Sequence, residues 1–487
     1  MSEADEMPKT IKDYIRLNST IEKDAVVEGE NSITYSGLYK RANIIAEKIK
    51  SIQSNRCHIA IVIPNSIDYV VAFSAVVLSD NVVVPIYAKS SIHEVEKVVD
   101  YCDIGMIIAA DQTIDFVLSG KYRHRITVLN ISKMESFEIG DKRRKFAPTS
   151  PENVRVMLGT SGSVDFPKRV MLSDENLIAN SKDIIRSLNY TENERILAVL
   201  PFPFAAGNTS QIVVSLMLGS SLYIYTDSLY PDFFFNAVEK YGITSTTIVS
   251  SVMNILLEEG RDYSAQAKTL NVICFGGGRT DDRTFDRLKK NPLCDKFVHI
   301  YGQTEASPRI SHLFLKTEKD KLPSVGKPLE NVSVRLRKMN LKEQYGEIQV
   351  KGKNVMVGYY KSDSFPVSEG WLSTGDLGYI DEEGYIYITG RIKNLIIFAG
   401  MNIFPEEVEV VLKQNPHVKE ALVYAERSLA YGEIPIARVA LKDKGSVSEA
   451  ELKEFCKKYI SYYKVPFRIE FVEKLDRTHN GKIIRKV

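Results

Sequence analysis

The chain has 487 residues, and its 64 basic and 62 acidic side chains leave a formal net charge of +2. This balance gives no electrostatic reason to expect a nucleic acid or an anionic membrane surface as a partner. The 44% share of apolar residues is ordinary for a soluble globular enzyme, and the length allows two to four compact units.

The five cysteines are far apart and form no Cys/His cluster with metal-ligand spacing. We therefore expect buried or surface thiols and a reducing, cytoplasmic location. The first residues, MSEADEMPKTIKDY, are polar and acidic and do not resemble a signal peptide. The apolar stretch 67–78 is too short to cross a bilayer, so we predict no membrane span.

Apolar periodicity predicts a helix over 11–17 and a longer one within 33–52. A buried strand at 58–63, a helix within 64–78 and a strand at 81–88 follow. Together they predict a βαβ unit, and hence a parallel sheet with helices on its faces. The apolar face of the helix within 33–52 consists of Leu38, Ala42, Ile45, Ala46 and Ile49.

The alternation of strands and helices continues to about residue 330, and from Asn331 to Gly390 short strands and turns predict a small β-rich section. After Lys393 a second unit begins, with Pro405 at the first position of a helix. The later strands and helix of this unit predict an α+β domain of about a hundred residues. The predicted class is α/β, with an N-terminal domain over 1–392, containing parallel α/β subdomains and the β-rich subdomain, and a C-terminal domain over 393–487.

Five segments combine small, charged and aromatic residues in a way that suits nucleotide chemistry. In the first, hydroxyl groups, backbone N–H groups and a lysine can surround phosphate, and Gly162 allows a close backbone approach. Taken singly, each segment is also compatible with a plain turn or a basic tail. The segments are TSGSVDFPKRV (160–170), YGQTE (301–305), GWLSTGD (370–376), GRIKN (390–394) and NGKIIR (480–485).

The order and spacing of these segments resemble the acyl-adenylate-forming superfamily, which includes acyl-CoA synthetases, adenylation domains of peptide synthetases and beetle luciferases. The resemblance covers nearly the whole chain. It implies an enzyme that joins a carboxylic acid to ATP with release of pyrophosphate. The acyl group then passes from AMP to the thiol of CoA or of a carrier-protein phosphopantetheine. The implied cofactors are ATP and Mg²⁺.

By resemblance, the loop from Thr160 to Lys168 binds the β and γ phosphates through Thr160, Ser161, Gly162, Ser163 and Lys168. Thr304 touches the α-phosphate and Glu305 holds Mg²⁺, for which a carboxylate is a suitable hard ligand. Tyr301 stacks on adenine, while Asp376 and Arg391 contact the ribose. The implied catalytic residues are Lys482, Thr304, Glu305 and Lys168.

The resemblance also implies a mobile C-terminal domain. Lys393 occupies the position of the family's hinge, and hinges are a few residues that absorb large backbone changes. Lys482 bridges the substrate carboxylate and the α-phosphate, a transient role that suits a flexible ammonium group. Gly400 lines the pantetheine tunnel in the thiol-transfer state.

The acyl pocket is implied to lie around the segments PFPFAAG (201–207) and FGGG (275–278). Adenylation domains for α-amino acids carry an aspartate just after the phenylalanine, whereas Phe204 is followed by Ala205 and Ala206. We therefore predict an acyl or aryl acid and not an α-amino acid. Gly276 and Gly278 either leave pocket volume or form a turn. Arg309 either pairs with a second polar group of the substrate or faces solvent, and we prefer solvent.

The chain departs from the family pattern at several positions. The family has glycine where this chain has Asp165 and Arg169, usually aspartate where it has Asn394, and proline where it has Asp476. The departures at Asp165, Arg169 and Asn394 leave open a catalytically impaired nucleotide-binding homologue as the alternative. A P-loop kinase or ATPase is disfavoured because GxxxxGK[ST] is absent. A dinucleotide-dependent oxidoreductase is disfavoured because no GxGxxG segment opens a helix after a strand.

Overall fold

The computed structural model describes residues 8–53, 55–124, 126–137, 150–160, 168–257, 261–278, 280, 282–338, 345–362, 365–398, 401–428, 431–477 and 483–484. The predicted α/β class is confirmed. Two large, mainly parallel sheets form most of the N-terminal part, and a small antiparallel sheet is attached to them. A fourth sheet, packed against two helices, forms the C-terminal part.

The first large sheet has eight strands among the described residues, and its five central strands run parallel. The predicted strand at 58–63 is observed as His58–Val62 and is buried along its whole length. Burial on both faces explains its continuous apolar sequence. In spatial order the strands are Gly358–Tyr359, Arg169–Ser173, Val154–Gly159, Val82–Pro85, His58–Val62, Ile104–Ala109, Thr127–Asn130 and Glu135–Phe137.

The second large sheet has nine strands within the described ranges, of which six consecutive strands are parallel. The strands Asp24–Glu28 and Asn31–Thr34 at one edge were not predicted, because they are short, partly exposed and without an apolar run. In spatial order the strands are Lys327–Pro328, Arg309–Phe314, Phe297–Gly302, Val272–Gly276, Ser245–Val249, Arg195–Ala198, Ser221–Ile224, Asp24–Glu28 and Asn31–Thr34.

The β-rich section is observed as a sheet of antiparallel strands, as the sequence predicted. Its strands are Ser333–Lys338, Gly346–Lys351, Trp371–Ile380, Val367–Ser368 and Ile386–Arg391. The C-terminal sheet pairs Arg468–Val472 in parallel with a strand of an otherwise antiparallel group. Its other strands are Met401–Ile403, Ile396–Phe398, Gly432–Leu441 and Val418–Ser428.

The helices cover both faces of the parallel sheets. The apolar face predicted within 33–52 is confirmed, since the five residues that define it are buried in the helix Tyr35–Ile52. A π-helix, Asn208–Val213, follows the predicted acyl-pocket segment and was not predicted. The α-helices are Ile11–Leu17, Tyr35–Ile52, Ile67–Leu78, Ile92–Tyr101, Ile114–Leu118, Asp174–Ser187, Ala205–Gly207, Val214–Leu218, Pro231–Tyr241, Ser250–Leu256, Asp282–Lys290, Leu315–Glu318, Pro405–Gln414 and Glu449–Lys457.

Short 3₁₀ turns connect several of these elements. They are Asn18–Thr20, Lys121–His124, Cys294–Lys296, Thr304–Ala306, Lys319–Lys321, Ile392–Asn394 and Tyr462–Lys464. In the described part of the chain, no helix combines the length and apolarity needed to cross a membrane. The five cysteines all lie within the described ranges, where each is a buried free thiol.

Buried histidines make the stability of this fold sensitive to acid. His299 is buried against the Phe275 ring, with a ring-centroid distance of 4.7 Å, and its Nδ1 lies 2.9 Å from the Ser324 carbonyl oxygen. Burial lowers the pKa of His299 to about 4, and it also lowers the pKa of His312 to about 4. Below pH 6.5 the unfolded chain binds protons at these rings while the folded chain does not. The folded state therefore loses stability as the pH is lowered.

We expect the free energy of unfolding to fall by about 1.4 kcal/mol per pH unit for each such histidine between pH 6.5 and 4. The substitution His299→Asn keeps a donor near the Ser324 carbonyl and removes the titrating ring, so it should flatten this decline. Urea unfolding at several pH values measures the effect. The control is His93→Asn, because His93 is exposed. An unchanged slope in His299→Asn would contradict the assignment.

Candidate active site

Three predicted nucleotide ligands meet where the small antiparallel sheet contacts the second large sheet. Asp376 and Arg391 are paired in register on neighbouring strands, and Arg391 Nε lies 2.8 Å from Asp376 Oδ1. From the large sheet, the Tyr301 hydroxyl donates to Asp376 Oδ2 over 2.7 Å. We call Tyr301, Asp376 and Arg391 the ribose cluster. The structure therefore brings together residues that are up to 90 positions apart in the sequence.

In the ribose cluster, the negative charge of Asp376 favours the protonated forms of Arg391 and Tyr301. Asp376 is buried, and its negative charge is the main cause of the raised pKa of Arg391. Burial, followed by the charge of Asp376, raises the pKa of Tyr301, so its phenol keeps its proton and acts as a donor. A carboxylate has two acceptor oxygens with about four acceptor positions, which is the chemistry that a ligand of ribose hydroxyls requires.

Glu347 holds the backbone that presents Asp376. It is buried on the neighbouring strand and accepts a hydrogen bond of 3.0 Å from the Gly375 N–H. Gly375 has φ of +73°, a left-handed conformation that favours glycine. Sequence analysis assigned no role to Glu347.

The predicted metal ligand and the predicted phosphate-binding lysine are joined through one tyrosine. The Tyr359 hydroxyl donates to Glu305 Oε1 over 2.8 Å. The Lys168 ammonium lies 4.5 Å from the centre of the same Tyr359 ring, a cation–π distance. Burial raises the pKa of Tyr359, and the Glu305 charge raises it further, so the phenol remains a donor. In the described part of the chain, Glu305 Oε2 makes no hydrogen bond, so it would remain for another ligand.

The chemistry of these residues fits ATP and Mg²⁺. Mg²⁺ keeps several waters and commonly takes one or two carboxylates together with substrate phosphates, so a single carboxylate such as Glu305 would suffice as the protein ligand. No group of three or more metal-ligating side chains occurs among the residues the structure describes. The bound metal would neutralise charge on the phosphates.

Thr160 and Lys168 lie at the two ends of the predicted phosphate loop, and the Thr160 N–H donates to the Lys168 carbonyl oxygen over 3.1 Å. Ser161, Gly162 and Ser163 lie outside the described residues. Thr304 begins the 3₁₀ turn that carries Glu305.

Sequence analysis assigned no role to Tyr359, and its position predicts a graded effect of mutation. Tyr359→Phe removes the hydrogen bond to Glu305 and keeps the ring beneath Lys168. We expect it to raise the Mg²⁺ concentration at half-saturation about fivefold, the effect of one hydrogen bond of about 1 kcal/mol. Tyr359→Leu also removes the ring and should raise the KM for ATP. Pyrophosphate release at varied Mg²⁺ and ATP measures both.

A matched control for Tyr359 is Tyr387→Phe. The Tyr387 hydroxyl lies 3.4 Å from Asp381 Oδ2, so the pair is also a tyrosine and a carboxylate, but it lies at a turn. We expect no change in the Mg²⁺ dependence of this variant. An unchanged Mg²⁺ dependence in Tyr359→Phe would show that the bond to Glu305 does not position the metal ligand.

The predicted acyl segment lies against the first large sheet. Phe204 precedes the short helix Ala205–Gly207, and its ring centroid lies 5.6 Å from that of Tyr87. Ala205 is buried. The interpretation of Gly276 as pocket volume is wrong, because an added Cβ would lie 2.3 Å from the Ile300 carbonyl oxygen. Close strand packing therefore requires this glycine. An added Cβ at Gly278 would have no neighbour within 4 Å among the described atoms.

The preference for a solvent-facing Arg309 is also wrong. Its side chain is 2% exposed, and it is among the largest fully buried side chains of the described structure. Arg309 lies directly across from Gly302 on the neighbouring strand, next to Tyr301 of the ribose cluster. The sequence misleads here because arginine is rarely buried, and no local pattern marks this one.

Two departures from the family pattern have structural partners. Asn394 Nδ2 donates to Glu406 Oε1 over 2.8 Å, so an aspartate at position 394 would face the carboxylate of Glu406. Arg169 is buried and its Nη1 lies 3.5 Å from the Pro85 carbonyl oxygen. Lys393 lies in the 3₁₀ turn Ile392–Asn394. The predicted residues Asp165, Gly400 and Lys482 lie outside the described residues.

Comparison with known proteins identifies the family. The family model of the AMP-binding enzyme matches residues 16–360, and that of the AMP-binding enzyme C-terminal domain matches residues 407–482. The 2-succinylbenzoate–CoA ligase of Bacillus licheniformis is 29% identical over 96% of this chain and 97% of its own length. The corresponding ligase of Bacillus subtilis is 27% identical over 96% of this chain and 95% of that protein.

Solved structures agree with these matches. The o-succinylbenzoate CoA synthetase (MenE) of Bacillus subtilis, in complex with the acyl-adenylate intermediate OSB-AMP, superimposes with a TM-score of 0.85 at 26% identity. That comparison covers 98% of this chain and 97% of the other. The same synthetase in complex with ATP and magnesium ion gives a TM-score of 0.84 at 26% identity, with 98% of each chain covered. The chain therefore belongs to the AMP-binding enzymes, and it is an AMP-forming acid–thiol ligase that uses ATP and Mg²⁺ to activate a carboxylic acid.

Proposed function

We propose that this enzyme is an aryl-acid–CoA ligase whose substrate is 2-succinylbenzoate or an acid of the same chemical type. The observation that carries the proposal is the likeness to 2-succinylbenzoate–CoA ligases over nearly the full length of both chains. The retained site supports it, since the ribose cluster and the pair Glu305 and Tyr359 are assembled in one region.

The acyl segment argues for a substrate without an α-ammonium group. Ala205 and Ala206 provide no carboxylate to bind such a group at the point where peptide-synthetase domains carry one. Gly278 is exposed, and an added Cβ there would meet no described atom within 4 Å, so this position sets no limit on the size of the acyl group. A mainly apolar pocket with few polar groups is the usual environment for such a substrate.

The acceptor thiol proposed here is that of CoA, and a carrier-protein phosphopantetheine is the alternative that the test decides.

We further propose that residues 1–392 and 393–487 are separate domains that rotate about Lys393. The two family matches, 16–360 and 407–482, fall on either side of that position. The hydrogen bond between Asn394 and Glu406 lies beside the proposed hinge and within residues 393–487, so it would move with the C-terminal domain. The buried free thiols support a reducing, cytoplasmic location.

Pyrophosphate release with Mg-ATP across a panel of aryl, fatty, hydroxy and amino acids tests the proposal. We expect 2-succinylbenzoate to give the largest kcat/KM and the α-amino acids to give none. Adding CoA or a phosphopantetheinylated carrier protein then identifies the acceptor by the thioester formed. Strong release with fatty or hydroxy acids, and none with aryl acids, would reject the aryl assignment. Thioester on the carrier protein alone would reject CoA.

A further inference from the structure

Arg309 is a buried positive charge without a negative partner in the described part of the chain. Its side-chain Nη1 lies 3.6 Å from Cys274 Sγ, and its Nε has no hydrogen-bond partner there. Arginine keeps its charge in proteins, and a buried charge is costly unless it is paired and hydrogen-bonded. A ligand that supplies a carboxylate would remove this cost.

The backbone of Arg309 is held on both sides by one residue. Asn180, on the helix Asp174–Ser187, accepts from the Arg309 N–H over 3.0 Å and donates to the Arg309 carbonyl oxygen over 2.7 Å. Asn180 is itself fully buried. These two bonds fix the root of a long side chain next to the ribose cluster, which is the condition for a preorganised binding group.

Unused hydrogen-bonding groups lie in the same layer of the molecule. The π-helix Asn208–Val213 packs against the helix that carries Asn180, and its apolar residues share one core cluster with Cys274. Four consecutive polar side chains of the π-helix, from Asn208 to Gln211, are buried. Asn208 Oδ1 and Nδ2 and Gln211 Oε1 have no partner among the described residues. Buried polar groups normally have partners, and π-helices are frequent at functional sites.

We propose that Arg309 binds a second carboxylate of the substrate, so that the acids activated by this enzyme are dicarboxylates. One carboxylate is adenylated beside the ribose cluster, while the other forms a planar, two-point pair with the guanidinium group. The amides of the π-helix, Asn208 and Gln211, line the same layer and supply further hydrogen bonds. The inference rests on the proposed function and deepens it, because the substrate proposed above carries two carboxylates.

The geometry of arginine favours a carboxylate over other polar groups. A guanidinium presents parallel N–H donors that match the two oxygens of a carboxylate, and such bonds are about twice as strong as neutral ones. A ketone or hydroxyl group would satisfy one donor and would leave the charge uncompensated. The distal anion therefore acts in substrate selection, and the transfer of the acyl group to AMP and then to the thiol is unchanged.

The test compares 2-succinylbenzoate with two analogues that each lack one carboxylate, 4-oxo-4-phenylbutanoate and 2-butanoylbenzoate. Pyrophosphate release gives kcat/KM for each acid with the wild-type enzyme and with Arg309→Met and Arg309→Lys. We expect the wild type to prefer the dicarboxylate over either analogue by about 30-fold or more, the loss expected when a buried charge pair is broken. Arg309→Met should remove the preference over the analogue that keeps the adenylated carboxylate, mainly by lowering activity on the dicarboxylate. The analogue that lacks the adenylated carboxylate should give no pyrophosphate release with any variant.

Arg309→Lys keeps the charge and should retain part of the preference. The matched control is Arg169→Met, because Arg169 is also buried without an acidic partner in the described ranges but lies in the other large sheet. It should leave the ratio of dicarboxylate to monocarboxylate activity unchanged. Thermal melting and ATP binding check that each variant is folded.

Two results would overturn the inference and leave the ligase function intact. They are equal wild-type activity on the dicarboxylate and on one analogue, and an unchanged preference in folded Arg309→Met. Absence of pyrophosphate release with all three acids would reject the proposed substrate, and with it this inference. If Arg309→Met does not fold, the wild-type ratio and the partial preference of Arg309→Lys decide the question.

Discussion

Replacing Asp376 with alanine is expected to weaken ATP binding by about 10- to 100-fold, the effect of losing charge-assisted hydrogen bonds of about 1.5–3 kcal/mol. Part of this loss of ATP affinity is expected to come from lost contacts among the site residues themselves. Arg391 and the Tyr301 hydroxyl lose their shared acceptor, so the ribose cluster loses the group that holds it together. Asp376→Asn keeps one acceptor oxygen and should show a smaller loss.

Equilibrium binding of ATP measures the effect without turnover. The surface offers a matched control in Asp232, which accepts from the Tyr263 hydroxyl over 2.7 Å and pairs with Arg261. Asp232→Ala thus removes an aspartate that is likewise bound by a tyrosine hydroxyl and an arginine, but at an exposed site. It should leave ATP affinity unchanged. Unaltered affinity in Asp376→Ala would contradict the assignment of the ribose ligand. Equal losses in both variants would point to a general effect on folding.

The sequence predicted the architecture because the fold depends on patterns that are local. The buried strand at 58–63 has a continuous apolar run, and the helix Tyr35–Ile52 repeats its apolar residues with helical spacing. The edge strands Asp24–Glu28 and Asn31–Thr34 have neither signal. Asp24–Glu28 pairs with a strand 196 residues away, which no window of sequence contains, and Asn31–Thr34 pairs in turn with Asp24–Glu28.

The site was predictable where a motif carries the chemistry, and less so where tertiary packing decides. Asp376 and Arg391 were assigned from their segments, and their register across one strand pair explains why both segments are needed. Tyr359 was missed because its two partners, Glu305 and Lys168, lie 54 and 191 positions away. The burial of Arg309 depends on the helix that carries Asn180, and the space attributed to Gly276 is filled by the carbonyl group of Ile300.

Replacing Lys482 with alanine is expected to reduce acyl-adenylate formation by about 100- to 1,000-fold, the loss typical of removing one preorganised donor to a developing charge. The first half-reaction brings a carboxylate against a polyanionic phosphate chain, and a cation between them is needed. Attack of the thiol on preformed acyl-AMP brings no such pair of anions together. That second step should keep nearly its full rate in Lys482→Ala.

The residues that flank Lys482 are anchored, which makes a selective effect reasonable. Arg477 and Ile483 are bridged across the segment, the Ile484 N–H donates to the Asp476 carbonyl oxygen over 2.8 Å, and the Arg477 guanidinium pairs with Glu420. Removing one side chain between these anchors should not release the tail from the domain.

Two assays separate the half-reactions, namely pyrophosphate release and thioester formation from synthetic acyl-AMP. The control is Lys474→Ala, since Lys474 is an exposed lysine eight residues earlier in the same tail. It should leave both rates unchanged. Lys482→Arg keeps the charge but changes its shape, so it should recover only part of the first rate. Equal loss of both half-reactions in Lys482→Ala would refute the assigned role. It would indicate that the C-terminal tail contributes to the site as a whole and that no single cation is responsible.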